Sequence, residues 1–294
     1  MPYSPTQRGV AYLALSSLLF ASMGVLIRLA SRHADNQTIV FARNLTGALL
    51  MAPWMLRHGL GDFRTPRLPL HIARSIAGLG SMYGFFYALA HMPLANAMVF
   101  TYSAPVFIPL IAWLLLSERI TTSIVLATSL GFVGVILVSH PQGELLFNRY
   151  TLIGLASALL AAVAFVAVRA LSSSESPSRI VFLFACISSL ISGVLLIGHH
   201  PLPPLRTGAE LLAVGLLATA SQLCLSRAYA LAAASRIGPV NYLSIVIAGF
   251  YGWLLWGERP QPAALFGVLL ILLATLLCFS ARRPVPWRPA KGAS

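Results

Sequence analysis

The 294-residue sequence predicts an all-α polytopic membrane protein with ten transmembrane helices in two inverted five-helix repeats. Three observations predict it. There are too few charges to coat a soluble globule, there are ten apolar runs of span length, and the second half repeats the first.

Only 9% of the residues are charged and 58% are hydrophobic, whereas a soluble domain carries about 25% charged residues to cover its surface. Lipid is the solvent that tolerates such an exterior. The formal charge of +13 comes from 20 Lys plus Arg against 7 acids. These basic residues sit in short connectors and at the chain ends, as topology signals do, so no nucleic-acid partner is expected. Cys186, Cys224 and Cys278 lie inside apolar runs without metal-type spacing and read as small core residues.

A helix needs about 20 mostly apolar residues to cross the hydrocarbon core. The first such run, 10–30, follows a short segment 1–9 and is too long for a cleavable leader, so it is taken as a retained span. Runs at 37–56, 74–92, 96–117 and 122–140 complete the first half, 10–140. A polar connection at 141–150 leads to runs at 151–171, 180–199, 209–231, 239–257 and 263–281, the second half being 151–281. Pro, Gly and charge mark the breaks. The basic, Pro-rich tail 282–294 is expected to be disordered.

The second half tracks the first at a nearly constant offset. The segment 17–31, carrying Arg28, matches 158–172, carrying Arg169, at 141, as Ser16 matches Ser157. Ile39-Val40-Phe41 matches Ile180-Val181-Phe182 at the same offset, and Tyr87-Ala88-Leu89-Ala90 matches Tyr229-Ala230-Leu231-Ala232 at 142. Tyr102, Trp113, Glu118 and Arg119 match Tyr242, Trp253, Glu258 and Arg259 at 140. An odd number of spans per half forces the second half to enter the membrane from the opposite side. Such a pair has two near-equivalent shapes, one open to each face, and alternating access follows.

These residues also carry a resemblance. LLLSER at 114–119, LLWGER at 254–259 and ALAHMPLANA at 88–97, in a five-plus-five arrangement, resemble the EamA-type permeases of the drug/metabolite transporter superfamily over 9–280. The resemblance implies export or exchange of a small solute, with amino acids and other metabolites among the cargoes, and leaves the cargo open.

Polar side chains at lipid depth are expected to face the bundle interior. Gln222, Ser226 and Tyr229 form one helix stripe, and the repeat places Gly80, Gly84 and Tyr87 on the matching one, with Tyr83 alongside. Thr101 and Tyr102 correspond to Asn241 and Tyr242, with Ser244 one turn beyond. These ten polar and aromatic residues are the candidate solute contacts, the two glycines reading equally as a packing seam. Ser16 and Ser157 fit bonds to their own backbone. Arg43 and Arg227 are candidate anion contacts, the alternative being snorkelling to the headgroups. Pro105 and Pro109 are expected to soften the fourth span as a gate. Glu118-Arg119 and Glu258-Arg259 read as pairs or caps at the membrane surface.

No nucleophile–base pair, phosphate loop or metal-ligand spacing is present, so neither enzyme activity nor a cofactor is expected. The acids and histidines fall at span ends or in connectors, which favours transport driven by the solute's own gradient. Placing both termini in the cytoplasm puts 14 of the 20 Lys plus Arg on that side, leaving Arg28, Arg32, Arg43, Arg149, Arg206 and Arg259 opposite. The expected protein is a multi-pass carrier in the inner or plasma membrane, a monomer or weak homodimer, for an amino acid or a related hydrophobic or aromatic metabolite. Alternatives are a larger anionic metabolite, nucleotide-like or vitamin, or a non-transporting accessory subunit.

Overall fold

The computed structural model describes residues 4–58, 65–91, 102–139, 149–197, 205–257 and 262–280. Among them are ten helices of 13 residues or more and no strand. They are α1 (Pro5–Ala30), α2 (Asn36–His58), α3 (Leu68–His91), α4 (Ala104–Leu116), α5 (Thr122–Ser139), α6 (Arg149–Leu171), α7 (Pro177–Leu196), α8 (Leu205–Leu231), α9 (Leu243–Trp256) and α10 (Pro262–Ser280). A one-turn helix (Ala234–Ile237) and a 3-10 turn (Gly238–Tyr242) lead into α9. By length and composition six of the described helices are long and apolar enough to cross a membrane: α1, α2, α6, α7, α8 and Ala234–Trp256. Shorter apolar helices lie at Ala104–Leu116, Thr122–Val138 and Pro262–Cys278.

Local chemistry sets the ends. Ser4 caps α1 in a reciprocal box with Gln7, and Pro5 occupies the first turn, where no intrahelical N–H bond is lost. Asp35 accepts the Thr38 N–H to cap α2, and Ser176 accepts the Arg179 N–H to cap α7. α4 and α9 both end on left-handed residues, Ser117 at φ 54° and Gly257 at φ 68°, 140 positions apart. Glycine takes this conformation freely whereas serine is strained by its Cβ. Ser117→Gly is therefore expected to stabilise the protein by about 0.5–1 kcal/mol, read as a raised Tm in detergent.

The helix seams come in pairs. α1 packs on α8 as α6 packs on α3; α9 packs on α1 as α4 packs on α6; α2 packs on α8 as α3 packs on α7. α2 meets α7, and α5 meets α10. In the first pair of seams a serine of one half bonds a serine carbonyl of the other: Ser16 Oγ donates to the Ser221 carbonyl at 2.9 Å, and Ser157 Oγ to that of Ser81 at 2.6 Å. These hydroxyls thus tie neighbouring helices together rather than their own backbone. A Cβ on Gly84 would stand 3.1 Å from Ser157 Cβ, and one on Gly80 3.1 Å from Leu160 Cδ1, so this glycine stripe is a seam against α6.

The core runs along α1, α4, α6 and α8, with Leu13, Ile108, Val166, Leu171 and Tyr229 buried. Leu49, Leu114, Trp113, Leu190 and Trp253 point outward, an apolar exterior that suits lipid.

Candidate solute site

A small cavity lies where α2, α7 and α8 converge. Its wall is formed by Arg43, Asn44 and Gly47 of α2, Val181, Phe184 and Ala185 of α7, and Ala218, Thr219 and Gln222 of α8. In each helix two adjacent lining residues stand three and four positions from the third, which puts all three on one face. The cavity holds about 10 Å³, the room of a single water. Asn44 and Thr219 bond back to the carbonyls of Val40 and Gly215 in their own helices.

Two arginines dominate its electrostatics. Arg43, 8% exposed, donates Nη1 to the Met82 thioether at 3.3 Å, a weak acceptor. Arg74 of α3, 3% exposed, stands behind the wall. It donates Nη2 to Gln222 Oε1 at 2.7 Å, and its guanidinium carbon lies 3.4 Å from the Phe184 ring centroid.

Of the sequence-predicted residues, Arg43 and Gln222 line this cavity. Ser226, one turn on, is fully buried, and its Oγ has no partner. Tyr229 is fully buried; its hydroxyl accepts from Asn241 Nδ2 at 3.1 Å, and Asn241 also donates to the Gly238 carbonyl. Its ring lies 6.0 Å from that of Phe165. Tyr242 forms a separate cluster with Tyr102, Val135, Ile245 and Ile271, its hydroxyl donating to the Thr128 carbonyl at 3.4 Å. Ser244 is buried beside it in sequence.

Other residues are placed differently. Tyr87 is 40% exposed and faces Tyr150 of α6 at 6.2 Å rather than the cavity. Arg227 is exposed. The buried Tyr83 hydroxyl makes no hydrogen bond of good geometry, and Gln37 is its polar neighbour. Thr101 lies outside the described residues. Pro105 occupies the first turn of α4, where it removes no bond; Pro109 alone of the two sits in the helix interior.

Arg74, Asn44 and Phe184 were not among the sequence-predicted contacts. α3 begins at Leu68, six residues before the apolar run does. This brings the fully buried His71 into the helix, where the sequence placed it at a span end, and moves Arg74 from the first residue of the run to the second turn. Pro69 in the first turn is the signal that could have found this start.

Glu118 does not pair with its neighbour Arg119. It is 5% exposed, accepts from the backbone N–H of Ala234 and Ser235 and from Ser235 Oγ (3.2, 3.0 and 2.6 Å), and pairs with Arg169 Nε at 3.4 Å. Arg169 in turn donates to the Tyr229 carbonyl at 2.7 Å, at the end of α8. This lattice ties the connector after α4 to α6 and to the lead-in of α9.

A second tie joins the connector before α3 to the one before α7. Glu175 accepts from Thr65 Oγ1 at 2.5 Å and from Arg179 Nη1 at 2.6 Å. Burial opposes its ionisation, but the bonds from Thr65 and Arg179 outweigh it and hold the carboxyl below the usual range. A carboxyl depressed in the folded state stabilises above its unfolded pKa, about 4.3 for glutamate, and loses that stabilisation as pH falls through the folded value. The parent is thus expected to melt above Glu175→Gln at pH 7, with the difference shrinking once the pH falls below about 4.3 and vanishing below the lower folded value.

Comparison with known proteins gives these features a context. The model of the EamA-like transporter family matches the chain twice, over residues 7–140 and 148–280. The pseudopaline exporter CntI of Pseudomonas aeruginosa is 32% identical over 269 residues, covering 91% of this chain and 94% of its own. The S-adenosylmethionine uptake transporter of Rickettsia bellii is 24% identical over 268 residues, covering 91% of this chain and 92% of its own. One crystal structure superimposes with a TM-score of 0.78 at 18% identity, covering 92% of this chain and 95% of that one, which shows a shared fold. The chain belongs to the EamA-like transporter family: it is a polytopic membrane transporter, not an enzyme.

Proposed function

We propose that the chain is a secondary carrier that moves a small organic solute by alternating access between two oppositely inserted five-helix halves. The pairing of seams carries the reading: α1 on α8 repeats α6 on α3, each with a serine-to-carbonyl bond. The helix ends support ten alternating crossings. At one face Thr65 meets Glu175, and Glu118 meets Arg169 and Ser235. At the other, Arg28 lies over Trp256 and Tyr87 faces Tyr150. Numbering the crossings from α1 puts each of these partners on one side of the membrane. The excess of basic residues puts both termini in the cytoplasm of a cell-membrane protein.

A cavity the size of one water is far below the ~300–1,000 Å³ of an organic-ligand site. It is the closed form of a site that widens when α2 and α8 part from α3 and α7. Phe184, Val181 and Ala185 suit an amino acid or a related solute with an apolar or aromatic part. The alternative, a larger anionic metabolite, is favoured by the arginines. The relatives' named cargoes differ from one another, so family membership does not choose between them. Asp35, Glu118 and Glu175 sit at helix ends or in connectors, which supports exchange or downhill export, whereas His71, buried inside α3, is a titratable group within a helix, so the flux must be compared with and without a pH gradient.

Liposomes containing only this protein test the carrier. Loaded with unlabelled solute, they should accumulate the labelled form saturably with no pH gradient. No counterflow for any amino acid, aromatic acid or vitamin tried would make the chain an accessory subunit instead.

A further inference from the structure

Two buried guanidiniums of like charge lie at this cavity, Arg43 in its wall and Arg74 behind it against Gln222 and Phe184. Each offers five N–H donors and no acceptor. Among the described residues, Arg43 Nε and Arg74 Nε and Nη1 have no hydrogen-bond partner. Arg43 spends its bonded nitrogen on a thioether, and Arg74 on a neutral amide. Neither forms an ion pair with a described acid: Glu118 pairs with Arg169 and Glu175 with Arg179. Buried charges are ordinarily paired, because an uncompensated one is strongly destabilising.

We infer that Arg43 and Arg74 are two arms of a carboxylate-binding site, and that the solute carried is an organic carboxylate whose apolar part rests on Phe184 and Val181. That it is carried rests on the transporter reading; that it binds does not. The wall favours a carboxylate over a phosphate. Two planar forks match two planar oxygens, whereas a phosphate carries more charge and more acceptor oxygens than the free donors here satisfy, and Val181, Ala185 and Ala218 add none. A bound carboxylate would offset the like charges of Arg43 and Arg74, the differential interaction that any ligand-driven change requires.

Melting of the purified full chain in detergent, followed by tryptophan fluorescence, tests the inference. The probes are 3-phenylpropionate, N-acetylphenylalanine, glutamate and citrate, each beside its amide, with sodium chloride and inorganic phosphate as controls. At least one carboxylate should raise Tm in a saturable way, and its amide should not. Arg43→Gln and Arg74→Gln should each raise the half-saturating concentration about 10-fold or more. Without ligand both variants should melt no lower than the parent, because an unpaired buried charge has gone. Arg74→Lys, keeping charge but not the fork, should fall between parent and Arg74→Gln.

The inference is overturned if no carboxylate outperforms its amide, or if chloride or phosphate matches the best of them. It is also overturned if the glutamine variants keep parental binding or melt lower unliganded, the mark of arginines that only hold the fold. Counterflow without carboxylate binding would remove this site and leave the carrier standing. Binding without counterflow would do the reverse.

Discussion

Glu118→Ala is expected to destabilise the protein by about 3–5 kcal/mol, the usual cost of removing one partner of a buried ion pair. The truncation acts on several groups together. It strips the acceptor from two backbone N–H groups and a serine hydroxyl, and it leaves Arg169 without its carboxylate. The one-turn lead-in to α9 loses its cap, and with it the anchor that holds Asn241 against Tyr229. Glu118→Gln keeps an acceptor and should cost less. Adding Arg169→Met to Glu118→Ala should recover part of the loss, giving a non-zero coupling energy in a double-mutant cycle. Denaturant or thermal unfolding in detergent measures it. A Glu118→Ala penalty below about 1 kcal/mol would show that Glu118 is an ordinary surface carboxylate.

Alanine at Gly134 or Gly267 should be nearly as damaging. A Cβ on Gly134 would lie 2.7 Å from the Gly267 carbonyl oxygen, and one on Gly267 2.6 Å from that of Gly134. Backbone cannot yield as a side chain can, so α5 and α10 must separate. Overpacking of this kind costs about 1–3 kcal/mol and occasionally more. Gly131→Ala should act similarly, since its Cβ would stand 2.2 Å from the ring of the fully buried Tyr242. Gly24 and Gly249 give the contrast: nothing lies within 4 Å of a Cβ at either, so alanine there should be neutral or stabilising by up to ~1 kcal/mol. Equal Tm values for Gly134→Ala, Gly267→Ala and Gly24→Ala would refute the close crossing.

Hydropathy made the helices legible, because lipid demands continuous apolar length. It failed at Leu68, where buried His71 and Arg74 interrupt the apolar signal although the helix continues through them. Read as the first residue of a span, Arg74 counted as a topology signal, and its burial against Gln222 and Phe184 was missed. The stripe Gln222, Ser226 and Tyr229 was readable from spacing, but spacing does not name partners: Gln222 turns to Arg74, and Tyr229 to Asn241. Transferring Tyr229 onto Tyr87 by the repeat preserved the helix position and missed the environment, which at Tyr87 is an exposed helix end beside Tyr150. Gly134 and Gly267 carried no sequence signal, since a close crossing exists only once α5 and α10 meet.

Sidedness of three points tests the opposed insertion of the halves most directly. Single cysteines at position 4, at position 142 between the halves, and after Ser280 would be labelled in intact cells with a membrane-impermeant maleimide. The inverted arrangement requires positions 4 and 281 to be protected and position 142 to react. Position 142 protected together with the two ends would mean an even number of crossings per half, and the two units would then enter the membrane from the same side.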